Sequence, residues 1–202
     1  MTAQPLGLAT ARLIGLYLSI IFVAFPLPAL AQGAAEALSF NQLIERAPLI
    51  VVATATSRRA GWELYGSSRL IITTITFQVE QTLKGSAPRT LSVEVLGGTI
   101  GDETLHVSHV PEFKVGDRDV LFLNNAAHSV SPIVGSDQGR FRIVTESATG
   151  TPRVLTAGFL PLVSTADIGR GRPGIIPSMS AALSLDNFVT MVRDRARELA
   201  VR

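Results

Sequence analysis

The side chains best suited to metal chemistry are three histidines, His106, His109 and His128. A zinc or copper site needs imidazoles that converge with one or two further ligands. On a strand, residues three apart point to opposite faces, whereas in a turn or a helix His106 and His109 could converge, with Asp102 or Glu103 nearby. No spacing in the chain matches a metal signature. We therefore predict no metal and no other cofactor, with His106 and His109 as weak metal-ligand candidates.

Catalysis by a nucleophile or by paired acids has little support in the residue pattern. The chain has no cysteine, and it lacks the G-x-S-x-G turn that exposes a nucleophilic serine. Neighbouring carboxylates occur at Asp102 and Glu103 and at Asp117 and Asp119. Because glycines stand beside both pairs, we interpret them as solvated turn residues rather than acid/base pairs. We predict a protein that is not an enzyme, and the alternative is an envelope hydrolase that uses a metal or a serine.

A glycine-rich segment at 169–174 formally fits the G-x-G-x-x-G spacing of dinucleotide-binding proteins. That motif needs a strand before it and a helix after it, so that backbone N–H groups converge on pyrophosphate. No predicted strand precedes these glycines, and Pro173 lies inside the motif. We therefore predict a flexible loop.

The best binding candidates combine two cations with two aromatic rings: Arg58, Arg59, Trp62 and Tyr65. We predict that they lie on a polar, glycine-containing loop at 58–68, between two strands. Loops on a rigid scaffold commonly carry binding residues, and arginine and aromatic side chains dominate many interfaces. The alternative is that Trp62 and Tyr65 pack back on the domain, since aromatic side chains are usually at least half buried.

The segments that would position these residues are mainly β-strands. Alternation of apolar with polar residues, rich in Val, Ile and Thr, is typical of half-buried strands. It predicts strands at 49–56, 69–83, 91–95, 120–123, 131–135, 140–144 and 154–155, with an ambiguous one at 105–110. Short strands separated by glycine turns predict a small OB-like barrel or a sandwich.

One amphipathic helix is predicted at each end of the mature domain. In the segment 34–47, Ser39 and Gln42 form the pattern of a capping box, and Pro48 ends the helix. At the other end Ser184 caps a helix at 184–202 that carries one apolar stripe. The segment 161–183 has little periodicity and several glycines and prolines, which predicts a flexible connector. The barrel and the first helix then occupy 32–160.

The first 31 residues have the pattern of a secretory signal. A single charge, Arg12, precedes an uncharged run, and Ala-Leu-Ala at 29–31 suits a signal peptidase. We predict cleavage before Gln32 and a periplasmic or secreted protein. The alternative is an uncleaved anchor, because the uncharged run at 13–31 is long enough to span a bilayer. It would give a membrane-tethered structural protein, and it is the one membrane association that we predict.

Charge excludes one class of partner. From Gln32 onward the chain carries seventeen basic and sixteen acidic residues, which lacks the strong positive balance of a nucleic-acid-binding protein. Exported and without a catalytic motif, the chain is predicted to be a binding or interaction module for an envelope protein or a glycan.

The order of short motifs between 49 and 144 resembles a family of uncharacterised bacterial exported proteins. The motifs are Ile50-Val51-Val52, Thr76-Phe77-Gln78-Val79-Glu80, Leu83-Lys84-Gly85, Val95-Leu96-Gly97-Gly98, Phe113, Gly116-Asp117, Val120-Leu121-Phe122-Leu123 and Gln138-Gly139-Arg140-Phe141-Arg142-Ile143. The first half is also similar to netrin-type modules, the OB-like barrels of tissue inhibitors of metalloproteinases. This similarity implies a five-stranded barrel and a binding role. Those inhibitors bind the protease metal through an N-terminal cysteine, which this chain lacks, so their mechanism is not carried over.

Overall fold

A computed structural model describes residues 36–65, 67–124, 130–171 and 173–201, so that the predicted signal at 1–31 and His128 lie outside the described residues. The described part contains helices α1 (Phe40–Arg46) and α2 (Leu185–Ala200). Its strands are β1 (Leu49–Tyr65), β2 (Ser68–Lys84), β3 (Thr90–Leu96), β4 (Gly98–Ile100), β5 (Glu103–Leu105), β6 (Arg118–Leu123), β7 (Arg140–Thr145) and β8 (Pro152–Thr156). The predicted mainly β class, with a helix on each side of the strands in sequence, is confirmed. None of the described helices combines the length and apolarity needed to cross a membrane.

Six of the strands form one antiparallel sheet in the order β3-β2-β1-β6-β7-β8, and β4 and β5 form a separate hairpin. The sheet is open, because its edge strands β3 and β8 do not pair with each other. One backbone hydrogen bond, from the Leu96 N–H to the Val130 carbonyl at 2.9 Å, links the end of β3 to the segment that precedes β7. A bridge from Ile133 to Leu123 then links that segment to β6. The predicted strand at 131–135 is therefore reduced to an isolated bridge.

Both faces of the sheet are buried where β1 and β6 cross its centre. Ile50 and Val52 of β1 join the core beneath the two helices, whereas Val51 and Ala53 join a second core on the opposite face. Three register irregularities between β1 and β2 bend the strands at this point, as β-bulges do. The bend brings β2 and β3 over the second core. Because β1 and β6 are thus covered on both faces, their sequences are continuous apolar runs without alternation.

The helix-side core is centred on phenylalanine rings that pack in edge-on and tilted arrangements. Phe141 of β7 lies 5.4 Å from Phe122 of β6 and 5.0 Å from Phe188 of α2, measured between ring centroids. Helix α1 begins at Phe40 rather than at 34, because the Ser39 capping box fixes its start: the Ser39 N–H donates to Gln42 Oε1 at 2.8 Å. The predicted Ser184 cap of α2 is also confirmed.

The predicted loop at 58–68 is wrong, since these residues continue β1 and β2. Every residue from Arg58 to Tyr65 pairs with β2, and only two residues separate Tyr65 from its partner Ser68. The strongly β-forming run in β2 supplies a ladder for them, and an exposed strand tolerates polar side chains. The ambiguous segment 105–110 contains only the end of a strand, because β4 and β5 pair around the turn at 101–102.

The described part of the predicted connector at 161–183 is fastened at both ends. The Val154 N–H donates to the Leu183 carbonyl, and the Leu183 N–H donates to the Leu162 carbonyl. Two short 3₁₀ turns, Thr165–Asp167 and Met179–Ala181, lie between these ends. Ile175 in the middle of the segment is 86% exposed.

Candidate functional site

The predicted binding residues lie on a two-stranded extension of the sheet, which we call the arm (residues 58–65 and 68–75). Strand β6 pairs with β1 only as far as Thr54, and the pairing of β3 with β2 reaches only Ile72. In the ladders of the main sheet, residues 62–65 and 68–71 of the arm therefore pair only with each other, and one further backbone hydrogen bond, from the Gly97 N–H to the Ile71 carbonyl, reaches them from outside. We call these residues the tip.

The arm separates the four predicted binding residues. In the antiparallel register Arg58 lies opposite Ile75 and Trp62 opposite Ile71, so Arg58 and Trp62 share the face that carries the second core. Arg59 lies opposite Thr74, on the other face. Tyr65 is the last residue of β1. Period-two alternation therefore places the two arginines on opposite faces of the arm.

The tip combines an exposed apolar side chain with one charge of each sign, Arg69 and Glu63. Leu64 is 81% exposed, and Trp62 and Leu70 are half-buried. The Arg69 guanidinium carbon lies 4.9 Å from the centroid of the Trp62 ring, a distance at which cation–π attraction operates. Trp62 therefore neither packs fully into the domain nor stands free, which is intermediate between the two sequence interpretations.

A small cleft lies at the base of the arm, under the β4–β5 hairpin. Its volume is about 60 Å³, and its polar lining residues include Arg58, Thr73, Thr104 and His106. The fold thus brings together two residues that the sequence singled out in separate segments, Arg58 and His106. His109 is not among the lining residues, and it is exposed in a left-handed conformation with φ 62°. A cleft of this size admits one or two waters or the end of one side chain.

The cleft depends on two glycines that hold β4 against the arm. The Thr73 hydroxyl donates to the Gly97 carbonyl at 2.6 Å, and the Gly97 N–H donates to the Ile71 carbonyl. A Cβ on Gly98 would lie 2.3 Å from Thr73 Oγ1, so only glycine allows this approach. Among the described residues no group of three or more His, Asp or Glu is arranged to hold a metal ion.

Behind the cleft lies a buried ion-pair network that sequence reasoning missed. Arg140 is 1% exposed and Asp119 is completely buried. The Arg140 Nε and Nη2 atoms donate to the two Asp119 carboxylate oxygens at 3.0 Å each, and Nη2 also donates to Asp117 at 2.8 Å. The guanidinium carbon lies 3.9 Å from the Phe113 ring centroid, and Nη1 donates to the Glu112 carbonyl at 2.5 Å. The network therefore fastens the segment that lines the cleft.

The interpretation of Asp119 as a solvated turn residue is wrong. Burial raises its pKa, and the hydrogen bonds and charge of Arg140 act in the opposite direction. Partial burial also acts to raise the pKa of Asp117, but the Lys114 N–H and the Arg140 guanidinium outweigh it and leave that pKa lowered. Arg140 already binds both carboxylates, and it binds Asp119 through two hydrogen bonds. We therefore interpret the network as a structural element that holds these segments together. The sequence signal was available, because Asp119 directly precedes the apolar run 120–123 and Arg140 begins the predicted strand at 140–144.

The segment 169–171 forms a groove on another part of the surface, together with 37, 137–138, 141, 156–158 and 167–168, with a volume of about 310 Å³. Gly169 has φ +81°, and a Cβ there would lie 2.6 Å from the Leu38 carbonyl oxygen. A 3₁₀ turn and not a strand precedes it. The glycine therefore serves close backbone packing, and the geometry of a dinucleotide loop is absent from this described segment.

Because similarity to known proteins gives no guide, the function has to be inferred from the geometry of the molecule itself. No protein-family model, no curated protein and no solved structure matches the chain. The resemblances drawn from the sequence therefore stay predictions.

Proposed function

We propose that this chain is an exported, non-catalytic interaction module whose contact element is the arm. One observation carries the proposal: the tip extends past the pairing of both neighbouring strands while it keeps Leu64 81% exposed. A large exposed apolar side chain near the end of a projecting ribbon, with Arg69 opposite it in the register, has the composition of a contact surface. Envelope proteins, glycans and lipid surfaces are the partners available to an exported chain.

Charge distribution supports the arm over the rest of the surface. Residues 58–69 contain three arginines and one glutamate, a charge of +2. The seventeen basic and sixteen acidic residues from Gln32 onward give +1, so the remainder of that chain carries −1. The arm therefore carries a net positive charge on a nearly neutral molecule, which favours an anionic partner.

The fold that supports this role is, in our proposal, a partly closed OB-like barrel. The hydrogen bond from Leu96 to Val130 and the bridge from Ile133 to Leu123 support it, because they place one segment between the ends of β3 and β6. The contact element would then be a hairpin that protrudes from the barrel wall.

Binding to the isolated cell envelope tests the proposal. We would compare the wild-type protein with Arg59→Glu on the arm and with Arg170→Glu on the connector, since both arginines are exposed and both changes alter the charge equally. The proposal predicts that Arg59→Glu lowers the bound fraction and that Arg170→Glu leaves it unchanged. Equal binding by all three proteins would refute the arm as the contact element.

Export needs a separate measurement. The mass of the chain recovered from the cell envelope or medium is expected to correspond to residues 32–202. Recovery of the protein in the cytoplasm at full length would contradict export, and a full-length chain in the membrane fraction would favour the tethered alternative.

The second candidate function, an envelope hydrolase, has one observation in its favour. The cleft places Arg58, Thr104 and His106 around one small cavity. Turnover of an ester or amide substrate by the purified protein, lost in His106→Ala, would establish it in place of the interaction module.

A further inference from the structure

We propose that the tip of the arm docks on an anionic phospholipid surface, an inference that rests on the arm being the contact element proposed above. One face of the tip has the composition of a membrane-contacting segment. Leu64 is 81% exposed on this face, Trp62 lies two residues before it on the same face, and Arg69 lies opposite Leu64 in the strand register. Leucine and tryptophan beside arginine are typical of segments that enter the boundary between headgroups and acyl chains.

The arm also carries a net positive charge. It contains three arginines, at 58, 59 and 69, and one acidic residue, Glu63, which gives +2. Each basic residue close to an anionic leaflet strengthens binding about fivefold at moderate salt. Because Arg58 and Arg59 lie farther from the leaflet than Arg69, the net charge of +2 is expected to raise the affinity for anionic over neutral lipid by at most about twentyfold to thirtyfold.

The strand edges of the tip limit how deeply it can enter a lipid surface. The ladder with β6 ends at Thr54 and the ladder with β3 ends at Ile72, so the tip presents open strand edges in the described part of the chain. Open edges are not tolerated in the hydrocarbon region, where backbone groups find no water. The tip spans about 13 Å along each strand. We infer that only its end enters the interface, while Arg58 and Arg59, about 17–20 Å from Leu64 along β1, stay outside the headgroups at about a Debye length from them.

The same observations favour a lipid surface over a glycan or an acidic protein. A hydrophilic glycan offers the exposed Leu64 side chain no apolar contact, although it could engage Trp62 and the arginines. An acidic protein would need a complementary groove for a narrow ribbon. A fluid headgroup region accommodates the ribbon without such a fixed shape.

The chain provides its own reporter, because Trp62 is its single tryptophan. We would add vesicles of phosphatidylglycerol and phosphatidylcholine to the purified protein and record tryptophan emission, with pure phosphatidylcholine vesicles for comparison. The proposal predicts a blue shift with the anionic vesicles and quenching by lipids brominated near the headgroup end of the acyl chain. Raising the salt concentration is expected to reverse the shift.

Two substitutions of exposed apolar residues identify the surface that binds. Leu64→Ser is expected to weaken binding to the anionic vesicles about tenfold. The matched control, Ile175→Ser, changes a side chain that is 86% exposed on the connector and is expected to bind like the wild type. Because both side chains are exposed, neither change is expected to disturb folding, which circular dichroism would verify.

The outcomes separate this inference from the proposed function. Absence of a blue shift and of bromolipid quenching, or equal binding by Leu64→Ser and the wild type, would overturn lipid docking. If the arm variant Arg59→Glu still lost binding to the isolated envelope, the arm would remain the contact element of a protein or glycan partner. A spectral change produced equally by a soluble acidic polysaccharide such as polygalacturonate, without quenching by bromolipid, would also overturn it.

Discussion

Replacing Arg140 by methionine tests whether the buried ion-pair network holds the fold together. Methionine keeps an unbranched apolar stem in the same space but removes every hydrogen bond that the guanidinium gives to Asp119. The Asp119 carboxylate, completely buried, would be left without its cation. Loss of one partner from a buried ion pair costs about 3–5 kcal/mol, a large part of the ~5–15 kcal/mol that stabilises an ordinary domain.

Thermal and urea unfolding measured by circular dichroism are suitable assays. For a domain of this size, each kcal/mol lowers Tm by about 2–4 °C, so Arg140→Met is expected to lower Tm by roughly 6–20 °C. The matched control is Arg118→Met, whose ion pair with Glu80 is partly exposed at 34% and 29% of the two side chains. Pairs of that kind contribute about 0–1 kcal/mol, so Arg118→Met is expected to lower Tm by no more than about 4 °C.

A double variant separates an orphaned charge from lost packing. Arg140→Met combined with Asp119→Leu removes both partners, and apolar replacement of a whole buried pair is often close to neutral. We expect the double variant to recover most of the stability lost in Arg140→Met. Similar Tm values for Arg140→Met and Arg118→Met would refute the reasoning, as would a double variant less stable than either single one.

Three further perturbations follow from the same structure. The pKa values of Asp117 and Glu80 in the folded protein lie below their ordinary values of 3.8 and 4.5. The two carboxylates therefore stabilise the fold fully above these ordinary values, and this stabilisation is lost as pH falls through the lower pKa values of the folded protein. Asp117→Asn is expected to flatten the fall in Tm below about pH 4. Gly98 has φ +139°, and Gly98→Ala would place a Cβ 2.3 Å from the Thr73 hydroxyl. The change is expected to lower the free energy of unfolding by about 1–3 kcal/mol. Gly101→Ala is the control for the cost of a positive φ alone, because no atom lies within 4 Å of a Cβ at that position. Phe188→Ala empties a completely buried site and is expected to cost about 3–5 kcal/mol in urea unfolding, and a cost below 1 kcal/mol would contradict the packing of α2 on the sheet.

Elements set by local chemistry were predictable from the sequence. The Ser39 capping box and the Ser184 cap depend on residues three positions apart, so the patterns are legible without a fold. The strands with clear alternation or apolar runs, such as β2 and β6, were also identified. The mainly β class follows from them.

The arm was mistaken for a loop because polarity and glycine were weighed more heavily than pairing. Residues 58–65 owe their strand conformation to β2, and cross-strand partners override local preference in this way. A two-residue connection between Tyr65 and Ser68 is what makes the pairing possible, and the glycine before Ser67 was its one sequence signal.

The buried network and the cleft could not be assembled from the sequence. Arg140 and Asp119 are 21 residues apart, and Arg58 and His106 meet through the packing of β4 on the arm. Such contacts depend on sheet order, which strand patterns alone leave open. What the sequence could offer was a charged residue at the start of each of two buried strands, the usual mark of a paired charge.

Site-specific photocrosslinking in the cell tests most directly whether the arm is the contact element. A photoreactive amino acid would replace Leu64 on the tip or, as control, Ile175 on the connector, both highly exposed. The account predicts efficient adducts from position 64, with lipid or with a defined envelope partner, and few from position 175. Equal yields from both positions, or adducts from position 175 alone, would contradict it.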